Sequence, residues 1–456
     1  MAEKKTLGMM QSVAEAALAA ARKSGASQAA AGVSRSRFVD VAFRDGALEK
    51  AQASTRQGLS LRLFVEGRYA AHSTSDLRPE ALGEFVQQAV ALTRQLEPDP
   101  ERSLADPARH AQGPAPDLGL WDAPLAESPT AHWVEIARRM EDLGRAAGEK
   151  AGQLVNASGN GYMEVSRELL ATSDGFLGSQ EETGGFAVAG VVLLDPEQAA
   201  KRRSGYWWQG GHGLAGLDQE ATLTGIAQEA AQRAARQFGA RPGPSGRFPV
   251  LVENQAAMRL VGDLLACLNG PTLQQGKSYL RDKLGQVVAG PLLSISDEPL
   301  MPGGFGSRWY DGEGVAAQSL PLIKAGKLEH FYLDTYHARK LKLPPTTGGG
   351  SNLVLAPSHG LGFGQMLAGV KQGLAVTSFL GGNFNSTTGD FSYGVQGLWI
   401  EDGRPVHAVE GMNLAGNFAE LWQGLAAVGN DPFPYAKLRA PSLMFAEVQL
   451  AGGGLA

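Results

Sequence analysis

The stretch RPGPSGRFPVLV, residues 241–252, decides how this chain divides. Pro242 and Pro244 lack the amide hydrogen that a helix interior needs, and Gly243 and Gly246 add conformational freedom, so a helix arriving from the N-terminal side must stop here. The apolar run 248–252 that follows reads as an extended strand. Sequence character changes across this point. An N-terminal domain over residues 1–240 and a C-terminal domain over 247–456 are therefore expected, and 456 residues suffice for more than one core.

Upstream, residues 9–23 carry apolar positions at helical spacing and end at Lys23-Ser24-Gly25. Val39, Val41 and Phe43 then alternate with Asp40 and Arg44, Asp45-Gly46 marks a hairpin turn, and Leu59, Leu61, Leu63 and Val65 alternate with Ser60, Arg62 and Glu66. A helix after Pro79 has the stripe Leu82, Phe85, Val86, Ala89 and Val90. Residues 96–129, rich in Pro, Asp and Ala, read as a long connection wrapping the surface. The order then recurs: a helix on Trp133, Ile136, Met140 and Leu143, short strands over 156–192 with turn signals at 159–161, 174–175 and 184–185, and a helix on Leu223, Ile226, Ala230 and Phe238. Helix, meander, helix appears twice, which suggests two similar α+β units. Arg56, Arg62, Arg68 and Tyr69 are read as solvated strand residues.

Downstream of the boundary one helix is expected near 256–268, followed by many short strands punctuated by glycine at 303–304, 311–312, 381–382 and 403. The fold class is therefore α+β: helices with antiparallel meanders, then a mostly antiparallel β domain with few helices and loops long enough to form a cleft.

Composition narrows the function. Hydrophobic residues are 43% and charged residues 19%, which excludes a disordered chain, and the 60 glycines follow no three-residue period, which excludes collagen. A net charge of -5 without a long basic block gives no footprint for nucleic acid. No apolar window approaches a membrane span and the opening Met1-Ala2-Glu3-Lys4-Lys5 leads into no secretory signal, so no membrane association and a cytoplasmic location are expected. GGGSN at 348–352 lacks the Lys-Ser/Thr ending of a phosphate loop, and no G-x-S-x-G elbow offers a serine nucleophile.

Three loops carry candidate chemistry. In SRWYDGEG, Arg308 sits beside Asp311 and Glu313, two carboxylates that could bind a cation or handle protons, and a tight turn fixed by Gly312 and Gly314 with Arg308 paired to a carboxylate is the simpler reading. In EHFYLDTYHARK, His330 and His337 flank Asp334, and Asp334 and His337 would share a helix face at i,i+3 as a metal or acid–base pair; ordinary packing and surface hydrogen bonds are the simpler reading. In TTGDFSYG, Thr388, Asp390 and Ser392 offer hydrogen bonds to a peptide, and an Asx-type turn is the simpler reading. His72, His110, His132, His212, His359 and His407 show no ligand spacing.

The segments GKSYLRDKLGQVVAGPLLSISDEP (276–299), GGFGSRWYDGEGVAAQSLPLIKAGKLEHFYLDTYHARKL (303–341), TTGDFSYGVQGLWIEDGRP (387–405), AGNFAEL (415–421) and AVGNDP (427–432) together resemble the C-terminal domain of the TldD/TldE (PmbA) peptidase family. The resemblance implies a peptidase built from two related subunits. TldD carries a zinc helix HExxxH and a downstream cysteine ligand; TldE shares the fold without that site. Here GDLLAC places Gly262, Asp263 and Cys267 at the first histidine, the glutamate and the second histidine, and RAPSLMFAEV (439–448) has no cysteine. No histidine lies between His212 and His330, so a two-histidine helix is absent in any register and no metal is expected on this chain. Leu260, Leu264 and Leu268 beside Cys267 favour a buried structural thiol.

The resemblance thus implies a TldE-like subunit that pairs with a TldD-like HExxxH chain bearing zinc, or with itself as a dimer, and that positions peptides or unfolded polypeptides. A stand-alone homodimeric hydrolase with another site, and a non-catalytic peptide-binding or scaffold protein, are the alternatives.

Overall fold

The structure, a computed structural model, describes residues 2–452, with side chains from residue 6 onward. Met1, and the last four residues of the stretch read as the C-terminal domain, lie outside the described residues.

The first half runs α1 (Ala2–Lys23), β1 (Gln28–Arg44), β2 (Ala47–Val65), β3 (Arg68–Thr74) and α2 (Pro79–Thr93), then a short α3 (Ala123–Glu127), α4 (Thr130–Ala151), β4 (Leu154–Thr172), β5 (Leu177–Leu194), β6 (Arg202–Gly211) and α5 (Glu220–Ala235). Asp45 and Gly46, with φ of 50° and 78°, make the β1–β2 hairpin turn, since both central positions of such a turn need left-handed backbone. The six strands form one antiparallel sheet in the order β3-β2-β1-β4-β5-β6, and β1 pairs with β4 from Ala30↔Thr172 to Arg44↔Ser158. Two helix–meander–helix units therefore join edge to edge, as the recurring sequence order suggests.

All four long helices cover one face of this sheet. Ala29, Ala31 and Val33 of β1 pack in the α1–α2 core while Val39 and Val41 pack in the α4–α5 core, and odd positions of one strand share a face. Trp133 of α4 is fully buried there, contributing about 1.5–3 kcal/mol by burial, and its indole N–H donates to Ser128 Oγ at 2.9 Å. The opposite face carries Ser34, Ser60, Arg62 and Glu168 and looks toward the second half.

Two expected turns are instead strand interior. β4 runs straight through Gly159–Gly161, and β5 through Gly184 and Gly185. The glycines serve close packing: a Cβ on Gly159 would lie 2.2 Å from the Ala137 carbonyl oxygen, and one on Gly185 2.8 Å from the Trp133 ring. Only Asp174-Gly175, between β4 and β5, turns the chain.

The second half continues with β7 (Gly246–Val252), α6 (Asn254–Ala266), α7 (Gly270–Gln274), β8 (Ile295–Asp297), β9 (Leu320–Lys324), β10 (Lys327–Leu328), α8 (Thr335–Leu341), β11 (Leu353–Leu355) and α9 (Phe363–Ala368). It ends with β12 (Gln372–Phe384), β13 (Asp390–Glu401), β14 (Arg404–Asn417), α10 (Phe418–Gln423), β15 (Leu425–Val428), β16 (Leu438–Arg439) and β17 (Leu443–Gly452). β14, β13, β12, β7 and β17 close into a barrel because β17 returns to pair with β14 at Met412↔Gly452, while β15 adds to β17 outside the ring. Val250, Val252, Leu374 and Val376 face a core shared with Leu260, Val261 and Leu264 of α6; the alternate residues Leu251 and Ala375 face Met366 and Leu367 of α9. A second sheet, β10-β9-β8-β11-β16, packs its Ile295, Ile323 and Leu353 into the same core.

The connection 96–129 lies across the second half. The Ala111 amide donates to the Gly314 carbonyl at 3.0 Å and the Gly303 amide to the Leu118 carbonyl at 2.7 Å, so the chain before α4 helps seat the loop that carries Arg308.

Candidate functional site

Helix α6 is where the resemblance would place a metal. Gly262 there supplies no side chain. Asp263 is already engaged: its Oδ2 accepts from Arg259 Nε at 2.7 Å and from the Tyr393 hydroxyl at 2.6 Å. Cys267 is fully buried, its Sγ donates to the Asp263 carbonyl at 3.5 Å, and burial pushes its thiol up to about 12. A zinc ligand must be an unprotonated donor facing an open position, and neither group meets that need. Among the described residues no group of three or more His, Cys, Asp or Glu could hold a metal ion.

The loop bearing Arg308, Asp311 and Glu313 meets the helix bearing Asp334 and His337. The Arg62 guanidinium donates to the Gly312 carbonyl at 2.6 Å, Gln180 to the Ser307 carbonyl at 3.0 Å and the Trp309 indole to the Ser179 carbonyl at 3.2 Å, which fixes the loop against the open face of the first sheet. Asp311 is buried and accepts from the amides of Glu313 and Val315 and from the Thr347 hydroxyl at 2.8 Å. Glu313 Oε2 accepts from both the amide and the hydroxyl of Thr335 at 2.9 Å, at the start of α8; burial pushes its carboxyl above the usual range. Asp334 caps α8, its Oδ1 accepting from the His337 amide and lying 2.7 Å from His337 Nδ1.

Arg308 differs from the sequence reading. Among the described residues it forms no ion pair with a carboxylate: its guanidinium donates to the Gly349 carbonyl and, at 3.3 Å, to the Thr347 hydroxyl, while its Nε is buried without a hydrogen-bond partner. One backbone carbonyl and one hydroxyl of the 347–350 loop, those of Gly349 and Thr347, take the fork in place of an acid. His330 stands apart from the Asp334–His337 pair and meets the Pro321 carbonyl at 2.8 Å.

Arg308, Asp311, Glu313 and Asp334 line a cavity of about 350 Å³ together with Arg62, Tyr69 and Arg102 of the first half. Arg62 and Tyr69, read from sequence as solvated, thus form a wall, joined by Arg102, which no local sequence pattern marks. The Arg102 guanidinium carbon lies 3.3 Å from the Tyr336 ring centroid and 4.5 Å from that of Tyr69. Beyond Arg62 and Arg308 the space opens into a cleft of about 760 Å³ between the open sheet face and the 305–312 loop, with Glu168, Glu182 and Lys437 on its walls. Burial, then Glu164 and Glu168, push the Glu182 carboxyl up to about 7.

Thr388, Asp390 and Ser392 are separate from this cavity. The Thr388 hydroxyl donates to Asp390 Oδ2 at 2.7 Å and Asn417 Nδ2 donates to Asp390 Oδ1 at 2.9 Å, which braces the exposed turn before β13; these bonds hold the Asp390 carboxyl below its usual range. Ser392 is exposed on β13. The turn's Ser386 carbonyl approaches Cys267 Sγ at 3.9 Å, so it neighbours the end of α6.

Fold and site thus define an α+β chain with a helix-covered six-stranded sheet, a closed C-terminal barrel and, among the described residues, no metal-binding cluster. The chain belongs to the PmbA/TldD metallopeptidase family: residues 29–93, 123–238 and 245–452 match the profiles of PmbA/TldA metallopeptidase domain 1, central domain and C-terminal domain. It is 29% identical to the Escherichia coli O157:H7 metalloprotease PmbA over 95% of this chain and 94% of that one. Against a Haemophilus influenzae metalloprotease PmbA homolog it is 25% identical over the same shares. A crystal structure from Bacteroides thetaiotaomicron, described as a candidate modulator of DNA gyrase, superposes with a TM-score of 0.90 at 33% identity over 97% of this chain and 99% of that one. TldE from Thermococcus kodakarensis shares the fold, with a TM-score of 0.84 at 20% identity over 96% and 100% of the two chains.

Proposed function

We propose that this chain is the non-metal subunit of a TldD/TldE-type metallopeptidase complex in the cytoplasm, contributing assembly and the positioning of a peptide or unfolded polypeptide. The observation that carries this reading is the state of α6, where Asp263 is bound by Arg259 and Tyr393 and the Cys267 thiol is buried and protonated. With its own donors engaged, the chain relies on a TldD-like HExxxH partner for zinc, and the hydrolytic water is activated there. The cleft of about 760 Å³, floored by an open sheet face, gives an extended peptide room to lie against this subunit.

Native mass spectrometry of the complex isolated from its own cytoplasm, with metal counted, tests the reading. A 1:1 unit with an HExxxH chain, metal on that chain alone, is expected. A metal-bearing homodimer would overturn it in favour of a stand-alone hydrolase; a metal-free homodimer would overturn pairing in favour of a peptide-binding scaffold.

A further inference from the structure

The cavity that joins the two halves holds arginines and acids whose bonding differs. Asp311, Glu313 and Asp334 are each engaged by amide, hydroxyl or imidazole donors. The arginines' hydrogen-bond and ring partners are neutral: Arg62 the Gly312 carbonyl, Arg308 the Gly349 carbonyl and Thr347 hydroxyl, and Arg102 the faces of Tyr69 and Tyr336; Arg308 also feels the charge of the buried Asp297 carboxylate without bonding to it. Among the described residues none of the three takes part in an ion pair, although all are half-buried and face one space of about 350 Å³. A half-buried guanidinium without an anion forgoes the charge-assisted bonds that are its strongest interaction.

We propose that this cavity binds a carboxylate, and that its occupant is the C-terminal end of a peptide. The planar forks of Arg62, Arg102 and Arg308 suit a planar monoanion, and Phe64, Leu104 and Ala105, which line the same space, give the last side chain an apolar wall. A dianionic phosphate has the same oxyanion chemistry but meets Asp311, Glu313 and Asp334 on the same walls, and like charges repel. From the cavity the chain leads past Arg62 and Arg308 into the larger cleft, which both residues also line. The inference rests on the reading that the chain positions peptides; it adds that it holds them by their free end.

The test is fluorescence anisotropy with the purified full chain and a fluorescein-labelled alanine tetrapeptide extended by one leucine, as free acid and as amide. The free acid should bind at least about tenfold tighter, the scale of one charge-assisted bond. Arg102→Gln, which breaks no hydrogen bond in the structure, should weaken the acid about tenfold and leave the amide unchanged. Arg62→Gln is the second variant should the first melt early. Acetate should displace the peptide better than inorganic phosphate at equal concentration. Equal affinity for acid and amide, no binding of either, or preferential displacement by phosphate would each overturn the proposal. If the acid–amide contrast holds while native mass spectrometry finds no HExxxH partner, the pairing fails and this site stands.

Discussion

Replacing Arg203 by methionine should destabilise the protein by about 3 kcal/mol, because it strips the cation from a fully buried carboxylate. Asp195 is 0% exposed and accepts from Arg203 Nε at 2.7 Å; Arg203 also donates to Glu410 Oε2 of the barrel at 2.5 Å, and Lys201 joins the same glutamate. Removing one partner of such a pair costs about 3–5 kcal/mol, since the other charge stays buried. The lower end applies here because the amides of Glu197, Gln198 and Gly239 still donate to Asp195, at 2.9, 3.2 and 3.1 Å. Urea unfolding followed by tryptophan fluorescence at pH 7 measures the loss, and in an Asp195→Asn/Arg203→Met double variant the cost should fall short of the sum by about 1.5 kcal/mol. The pH dependence has a definite sign. Burial pushes the Asp195 carboxyl up, but the Arg203 guanidinium and the Glu197 and Gly239 amides outweigh it and hold the group below its usual value. A depressed carboxyl contributes stability that is present above the unfolded pKa, about 3.9, and is lost as pH falls through the folded value, so the gap between wild type and variant should narrow below about pH 4. A loss under about 0.5 kcal/mol at pH 7, the size of an ordinary surface substitution, would refute the reasoning.

Gly159→Ala should cost about 3 kcal/mol or more, since its Cβ would sit 2.2 Å from the Ala137 carbonyl oxygen and 2.3 Å from the Glu141 amide. Gly225→Ala, inside α5 with open space around its Cβ, should instead stabilise by about 0.5–1 kcal/mol, and thermal melts of the pair check both signs. Cys267 should react with a thiol-specific disulfide reagent at pH 8 more than about a thousandfold slower than free cysteine, and at the free rate in denaturing urea, because burial holds the thiol protonated.

What could be read from the sequence follows the range of the forces involved. The β1–β2 turn at Asp45-Gly46 and the apolar stripe of α2 depend on neighbours a few residues away, so local pattern sufficed. Gly159 and Gly185 misled because the same residue serves turns and close packing, and the reason for these two lies in α4. The cavity was harder still: Arg62, Tyr69 and Arg102 come from one half and Arg308, Asp334 and Tyr336 from the other, and no periodicity says which strand will face which loop. Arg308 looked paired because Asp311 and Glu313 follow it closely, yet those carboxylates are drawn inward to amides and hydroxyls, and Arg308 is left to carbonyl and hydroxyl oxygens.

The absence of a metal role for α6 is stronger than a missing motif. To coordinate zinc at pH 7 the Cys267 thiol, held at about 12, would first have to lose its proton, which costs about 7 kcal/mol at 1.36 kcal/mol for each pH unit. Asp263 would also have to leave Arg259 and Tyr393, bonds to a charged group worth about 1.5–3 kcal/mol each. The about 10–16 kcal/mol that a complete four-ligand structural zinc site supplies at pH 7 already includes deprotonating ordinary thiols, so the extra cost here is the rise from 9.0 to about 12, about 4 kcal/mol, plus the Asp263 bonds, while Gly262 leaves this helix with two donors at most. Restoring histidines at 262 and 267 would not reverse the balance, because position 267 is buried among Leu260, Leu264 and Leu268 and an imidazole there would have to displace core side chains. The helix is built as core packing and an ion pair: Leu260, Val261 and Leu264 face the interior while Asp263 holds Arg259.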